Sequence, residues 1–387
     1  MICIIIILTL LRQYRIDPMS ELKKVLIVTY YWPPAGGPAI QRTLKFVKYM
    51  RFFGWEPVIL TVENGEYPAI DPSLIQEIPD NIQVYKTKAF QPFQLYRMLT
   101  GKKGNTHNNA NVFGQKDKTF IERLAKWIRL NLFIPDARIG WYAYAVKAAK
   151  KIIEQEHIDL IYSSSPPHSL QLIAQKIAKQ NKIKWVADFR DPWSELVHYQ
   201  SYKRTWLTRK IDSHFEKSVF RSADRLVAAA NDYATCIKTH VDRKIEVIYN
   251  GYDPSDFPKP KSRNTEDFLI TYTGELSEDR IPHALLRALS RLEHSNIKLQ
   301  FIGNTCPELK QEIQRLNLGN KVMLKPYMPH IASIAELQQS DLLLLVINQV
   351  ANGKGIVPGK IFEYLGTRKP ILCLGDPTGE AGEIIKT

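Results

Sequence analysis

Cysteine is scarce: Cys3, Cys236, Cys306 and Cys373 are scattered through 387 residues, with no CxxC pair and no Cys/His cluster. That spacing excludes the usual zinc sites and offers no disulfide framework; dispersed thiols suit a reducing cytoplasm. Long hydrophobic runs are also missing. The apolar stretch Ile2 to Leu11 is too short to span a bilayer, lacks a basic flank and is followed by no small-residue cleavage site, so it does not read as a signal peptide. Because Met19 opens a more ordinary beginning, "MSELKKVLIV", residues 1–18 are read as an upstream extension, with a short membrane-dipping anchor as the rival. There is no GxGxxG after the first predicted strand, which removes the support for a classical dinucleotide site. No block of a single residue type indicates wholesale disorder.

What is present is an apolar fraction of 44%, enough for two ordinary cores, and a net charge of +14. Such an excess favours anionic partners: phosphates, nucleic acid or an acidic membrane surface, a plain basic surface being the bland alternative. Nucleic acid is disfavoured, because the basic residues are not arranged around a recognised reader motif.

From Lys23 onward short Val/Ile/Leu runs alternate with helical stretches, which argues for a parallel sheet covered on both faces. "KKVLIV", "PVILTV", "IQVYKT", "DLIYSS", "WVADF", "RLVAAA" and "IEVIYNG" are the predicted strands. A proline-rich, charged stretch then interrupts the pattern, and "FLITYTG", "IKLQFIG", "VMLKPY", "LLLLVI" and "PILCLG" start it again. The reading is α/β, two doubly wound Rossmann-like domains: residues 19–254, a linker at 255–267, and residues 268–387.

Residues 101–118 are polar and read as an insertion. The next segment, 119–134, places Phe120, Ile121, Leu124, Trp127 and Ile128 on one helical face and Arg123, Lys126 and Arg129 on another. Over residues 101–150 ten Lys/Arg stand against three Asp/Glu. That composition fits a helix lying on an anionic membrane; a core-packed helix with a solvated basic face fits equally well.

Candidate functional residues fall at predicted strand ends, where open α/β sheets bind ligands. In "YYWPPAGGPAIQR", Gly36 and Gly37 let a substrate approach the backbone at a helix N-terminus, and Arg42 could steer a phosphate or acidic acceptor. "SSSPPHS" brings His168 to one strand end, and "ADFRDPW" brings Arg190, Asp191 and Trp193 to the next. Asn250 lies in "VIYNG" at the hinge; Gly274 ends the first strand of the second domain, with Arg280 shortly after. In "VPGKIFEYLGTRKPILCLG", Pro358 suits the first helical turn, and Gly366 and Pro370 mark the helix's end. Lys360 and Glu363 stand i, i+3 on that helix, a cation for a diphosphate beside a carboxylate for a ribose diol. An exposed ion pair worth tenths of a kcal/mol is the plain alternative.

Together "GGPAIQR", "ADFRDPW", "VIYNGYD", "YTGEL" and above all "KIFEYLGTRKPIL" resemble glycosyltransferases of the GT-B architecture, family 4, from about Lys23 to the chain's end. The resemblance implies two Rossmann-like domains facing a cleft and retaining transfer from a nucleotide sugar to a hydroxyl acceptor. It further implies Glu363 on the ribose, Lys360 and Arg280 at the diphosphate, and Gly36, Gly37, Asn250 and Gly274 on the donor side. Arg42, His168, Asp191 and Trp193 would meet the acceptor, with His168, Arg190 and Asp191 near the chemistry. Lipid-linked or saccharide acceptors, envelope polysaccharide or glycolipid synthesis, and a cytoplasmic or peripheral inner-membrane location follow from the same resemblance. No DxD motif is present, so neither a metal nor any cofactor beyond the donor is indicated.

Three departures qualify it: Gly355 replaces the first Glu of the family's Glu-x7-Glu pair, Arg190-Asp191 stands where many members have His, and the sequence stops soon after "GEAGEIIKT", which raises truncation. A nucleotide-sugar epimerase and a catalytically inactive, membrane-associated binding protein of the same fold are the rival readings.

Overall fold

The computed structural model describes residues 22–63, 65–67, 69–91, 120–194, 204–259, 263, 265–292, 296–347 and 353–386. The expectations for residues 1–18 and 101–118 lie outside them. The chain forms two compact units divided between Tyr249 and Asn250, whereas the proline-rich stretch suggested 254.

Among the described residues the N-terminal unit holds seven strands: β1 (Lys23–Val28), β2 (Trp55–Val62), β3 (Gln83–Thr87), β4 (Leu160–Ser165), β5 (Lys184–Phe189), β6 (Arg225–Ala228) and β7 (Ile245–Val247). They pair in parallel in the order β3-β2-β1-β4-β5-β6-β7. The β1 sequence shows why a continuous apolar run was needed. Leu26 and Val28 enter one core with Val58 and Leu60, while Val25 and Ile27 enter another with Ile59. Alternate side chains point to opposite faces, so a sheet covered twice needs apolar residues at every position.

The helices are α1 (Pro38–Met50), α2 (Phe120–Leu132), α3 (Tyr142–Glu156), α4 (Ser169–Asn181), α5 (Trp206–Ser222) and α6 (Asn231–Lys238). Ile40, Leu44 and Val47 of α1 close one core. Ala145, Ala149 and Ile152 of α3, Ile173 and Ile177 of α4, and Val219 and Phe220 of α5 close the other.

The C-terminal unit repeats the plan with β8 (Phe268–Thr273), β9 (Ile297–Ile302), β10 (Val322–Lys325), β11 (Leu342–Val346) and β12 (Ile371–Leu374), parallel in the order β10-β9-β8-β11-β12. Its helices are α7 (His283–Arg291), α8 (Pro307–Arg315), α9 (His330–Gln338), α10 (Lys360–Thr367) and α11 (Glu380–Lys386). Ile270, Tyr272, Leu286, Leu299, Phe301, Leu309 and Leu344 share its core. The strand order reverses at β1/β4 in the first sheet and at β8/β11 in the second. Those are the switch points where doubly wound sheets open a crevice beyond the strand ends.

Two local expectations are corrected. The start of the expected linker is folded: the Asp253 carboxylate accepts from Ser255 N at 2.9 Å and caps a 3-10 turn at Pro254–Asp256, in which Asp256 is buried. And Gly366 does not end α10; Arg368 takes the left-handed position, φ 58°, at its C-cap. The missing side chain at Gly366 instead makes room, since a Cβ there would lie 2.4 Å from the Phe257 ring and 2.9 Å from the Tyr252 ring.

Candidate functional site

The C-terminal unit gathers the residues with ligand chemistry at the end of β8. Gly274 follows that strand with φ 105°, and a Cβ on it would stand 2.9 Å from Lys360 Nζ. The neighbouring Gly303, after β9, has φ 125°, and its Cβ would meet the Gly274 carbonyl oxygen at 2.5 Å. Only glycine suits both backbones and that approach. Gly303 was not singled out in the sequence, where it reads simply as the end of a strand.

Helix α10 is set against this corner by its apolar residues. Ile361, Phe362 and Tyr364 are buried; the Tyr364 hydroxyl accepts from Thr273 N at 3.1 Å and donates to the Leu344 carbonyl at 3.2 Å. That fixes Lys360, the first helical residue, beside the strand end. Its ammonium donates to the Thr273 carbonyl and lies 3.8 Å from the centre of the Tyr272 ring. Burial, aided by the charge of Arg280 and opposed by Glu363, pushes Lys360 from its usual value near 10.5 down to about 7. Arg280 ends a 3-10 turn at Glu278–Arg280 and also reaches the Tyr272 hydroxyl, whose titration burial nevertheless pushes up to about 12. Two cations thus share one corner, held by a carbonyl and an aromatic face. A group of charge opposite to both is favoured there.

Glu363 sits one turn further along α10. Its Oε1 lies 2.9 Å from His330 Nε2 at the start of α9, and His330 Nδ1 lies 3.8 Å from Asp256 Oδ2. The structure therefore brings Gly274, Arg280, Lys360 and Glu363 together and adds Tyr272, His330 and Gly303. Asn250 opens the same unit. Gly355 lies in a 3-10 turn at Gly353–Gly355 and offers no side chain where the family pattern has its first Glu.

In the N-terminal unit, Gly37 caps α1 with φ 94° and open space where a Cβ would be. Gly36 N donates to the Ala69 carbonyl at 2.9 Å. After β5, Arg190 is tied to the β4 end: its backbone N and its Nε donate to the Ser165 carbonyl at 2.9 and 3.2 Å, and Nη2 to that of Pro166. Burial lowers its titration, with Asp191 and Asp188 pulling the other way. Asp191 is partly exposed beside it. The N-terminus of α4 is already filled: Asp136 accepts from Ser169 N at 2.9 Å, from Ser169 Oγ at 3.0 Å and from Arg138 N at 2.8 Å.

Three expected acceptor residues are corrected here. Arg42 does not face a ligand. Its side chain is 1% exposed and grips Asp188, itself 0% exposed, through Nε at 2.9 Å and Nη2 at 2.8 Å. Tyr162 and Ser164 hydroxyls add hydrogen bonds to Asp188 at 2.8 and 2.6 Å. Burial alone would raise the Asp188 carboxyl, but Arg42 and these hydroxyls hold it below its usual range. Asp188 lay inside the predicted strand "WVADF", and only the neighbouring chain elements reveal it as a hub.

Trp193 is buried as well; its Nε1 donates to Asp212 at 2.8 Å, and Arg204 holds the other oxygen of that carboxylate at 2.6 Å. His168 is 1% exposed, with its ring stacked 4.8 Å from that of Trp193. Burial, with Arg190 nearby, lowers it to about 3, so it stays neutral and is poorly matched to proton transfer near pH 7.

The chain is also similar to known families and folds. Residues 110–256 match the family described as Glycosyltransferase Family 4, and residues 254–379 match Glycosyl transferases group 1. No curated protein matches the sequence. Among solved structures, Anabaena HepE in complex with UDP and glucose is 15% identical with a TM-score of 0.57, over 94% of this chain and 88% of that one. A Rickettsia africae glycosyltransferase is 15% identical with a TM-score of 0.58, over 95% and 83% of the respective chains. Sucrose-phosphate synthase from Thermosynechococcus elongatus is 11% identical with a TM-score of 0.58, over 91% and 81%. At those identities the structural likeness speaks to the fold alone. The two family matches, which meet near the division between the units and together run from residue 110 to residue 379, decide the rest: the chain belongs to the glycosyltransferases of GT-B architecture.

Proposed function

We propose that this glycosyltransferase takes its sugar from a nucleoside-diphosphate donor held by the C-terminal unit and transfers it to a hydroxyl acceptor, with retention at the anomeric carbon. The observation that carries the donor assignment is the paired charge of Arg280 and Lys360 beside Gly274. A departing diphosphate gains negative charge as the glycosidic bond breaks, and fixed cations stabilise it most where they need no reorganisation. We assign that stabilisation to Arg280 and Lys360 rather than to a metal. Asp191, partly exposed at the β5 end, is the carboxylate we assign to orienting the acceptor hydroxyl; retention follows the family resemblance.

Uridine is the first base to try, because HepE has been solved with UDP. The experiment is calorimetric titration of the chain with UDP, GDP, dTDP, CMP and NAD, repeated on Lys360→Ala. Selective binding of one nucleoside diphosphate, lost in the variant, supports the reading. Wild-type turnover by Lys360→Ala would sink it. Donor binding without transfer to any acceptor would favour the inactive-homologue reading, and donor rearrangement without an acceptor would favour an epimerase.

For the acceptor we propose a lipid-linked or saccharide hydroxyl in envelope polysaccharide or glycolipid synthesis. The support is α2, which is seated by its last turn and open before it. Leu130 and Asn131 are buried, and Asn131 Oδ1 accepts from Thr205 N at 2.7 Å, while Leu124 and Trp127 are each 46% exposed. The Phe120 and Ile121 side chains of the expected apolar face lie outside the described residues. Among the described residues no helix is long and apolar enough to cross a membrane, so contact would be peripheral. Sedimentation with vesicles of phosphatidylglycerol but not phosphatidylcholine, reduced in Trp127→Ala, is the expected result; equal recovery with both lipids would remove the membrane from the proposal.

A further inference from the structure

Lys and Glu three residues apart on a helix ordinarily find each other. Lys360 and Glu363 do not. The ammonium goes to the Thr273 carbonyl and the Tyr272 ring, and the carboxylate goes to His330. A carboxylate only accepts, so His330 Nε2 carries the hydrogen and donates to Glu363 Oε1 at 2.9 Å. On the ring's other side Asp256 Oδ2 lies 3.8 Å from Nδ1, a charge contact beyond hydrogen-bond reach, and the Asp256 backbone is held in the capped turn at Pro254–Asp256. Glu363 Oε2 has no hydrogen-bond partner among the described residues. This is the arrangement by which an outer partner orients a carboxylate for a ligand.

We propose that His330 is a positioning residue that holds the Glu363 carboxylate off Lys360, so that the ammonium stays open to the diphosphate and the carboxylate to the ribose diol. The inference rests on the reading of Glu363 as the ribose ligand. Without His330 a cation that already feels the Glu363 charge, Lys360, stands three residues back on the same helix. An ion pair formed there would occupy both ligand-binding groups at once.

The test is the affinity of the full chain for UDP and for 2′-deoxy-UDP, measured by calorimetry, with melting temperatures as a check on folding. A hydrogen bond to a charged group predicts that wild type prefers UDP by about tenfold or more. His330→Phe should weaken UDP binding by about tenfold and bring the two ligands close to equal. His330→Gln, which keeps a donor, should retain most of the preference. Adding His330→Phe to Glu363→Gln should cost little beyond Glu363→Gln alone, as expected for groups acting in series.

If Glu363→Gln keeps the preference, the ribose reading fails and this inference falls with it. If Glu363→Gln abolishes the preference but His330→Phe does not, the ribose reading stands and His330 is not its positioning residue. Equal weakening of both ligands by His330→Phe would show a packing role and overturn the inference as well.

Discussion

Each unit holds a cation within reach of a carboxylate, and the two treat the pair in opposite ways. In the N-terminal unit Arg42 and Asp188 are locked together out of water, with Tyr162 and Ser164 occupying the carboxylate further. In the C-terminal unit Lys360 and Glu363 are kept apart, the first beside Arg280 and the second on His330. A buried charge that already has its complement is committed to the fold. A part-buried cation set against a carbonyl, a ring and another cation is costly by itself and becomes favourable beside an anion. Residue type alone does not separate the two cases; the partner does.

The comparison is broken most directly by Arg42→Ala, which strands Asp188 without its counter-charge. Unfolding free energy in urea should fall by about 3–5 kcal/mol, the range for breaking one side of a buried pair. Nucleotide affinity of the fraction that remains folded should be unchanged. Lys360→Ala should do the reverse, with stability held or raised and turnover lowered by about a hundred- to a thousandfold, as for loss of one preorganised charge at a transition state. Equal damage to stability by the two variants would erase the distinction.

Gly303→Ala tests the floor of the same corner. The φ of 125° and the contact with the Gly274 carbonyl should cost about 1–3 kcal/mol, read in the same urea titration. Nucleotide binding should weaken too, because Gly274 must shift against Lys360.

A further test is in pH. Lys360 is lowered in the folded chain from about 10.5 to about 7, so between those values the unfolded chain holds a proton that the folded one lacks. Stability from this group is therefore greatest at high pH and declines as pH falls from about 10 toward 7, levelling off below. The gap between wild type and Lys360→Met should widen over that window. A bound diphosphate raises the ammonium again, so UDP binding near pH 8 should take up a fraction of a proton, seen as a buffer-dependent heat, and little near pH 6.

The fold was legible because its signal is local: every apolar run from "KKVLIV" to "PILCLG" falls on a strand, and the order of runs and helices implies parallel sheets. The C-terminal corner was legible for a similar reason, since Lys360 and Glu363 share one helix and Gly274 and Arg280 follow one strand. What could not be read was pairing at a distance. Arg42 and Asp188 are 146 positions apart, and nothing near Arg42 says that a carboxylate waits inside "WVADF". His330 was missed because it opens an unremarkable helix 33 positions before Glu363. Trp193 and His168 follow strand ends, as expected, but Trp193 is tied to Asp212 of α5 and His168 is stacked on Trp193, and position along a strand says nothing about what is folded over it.

The Asp136 carboxylate at the start of α4 has one more effect. A helix beginning is a natural landing place for phosphate, and here the protein has stationed its own anion on it. The first free N–H group of α4 is thereby satisfied from within the fold, by a carboxylate set 33 positions before Ser169.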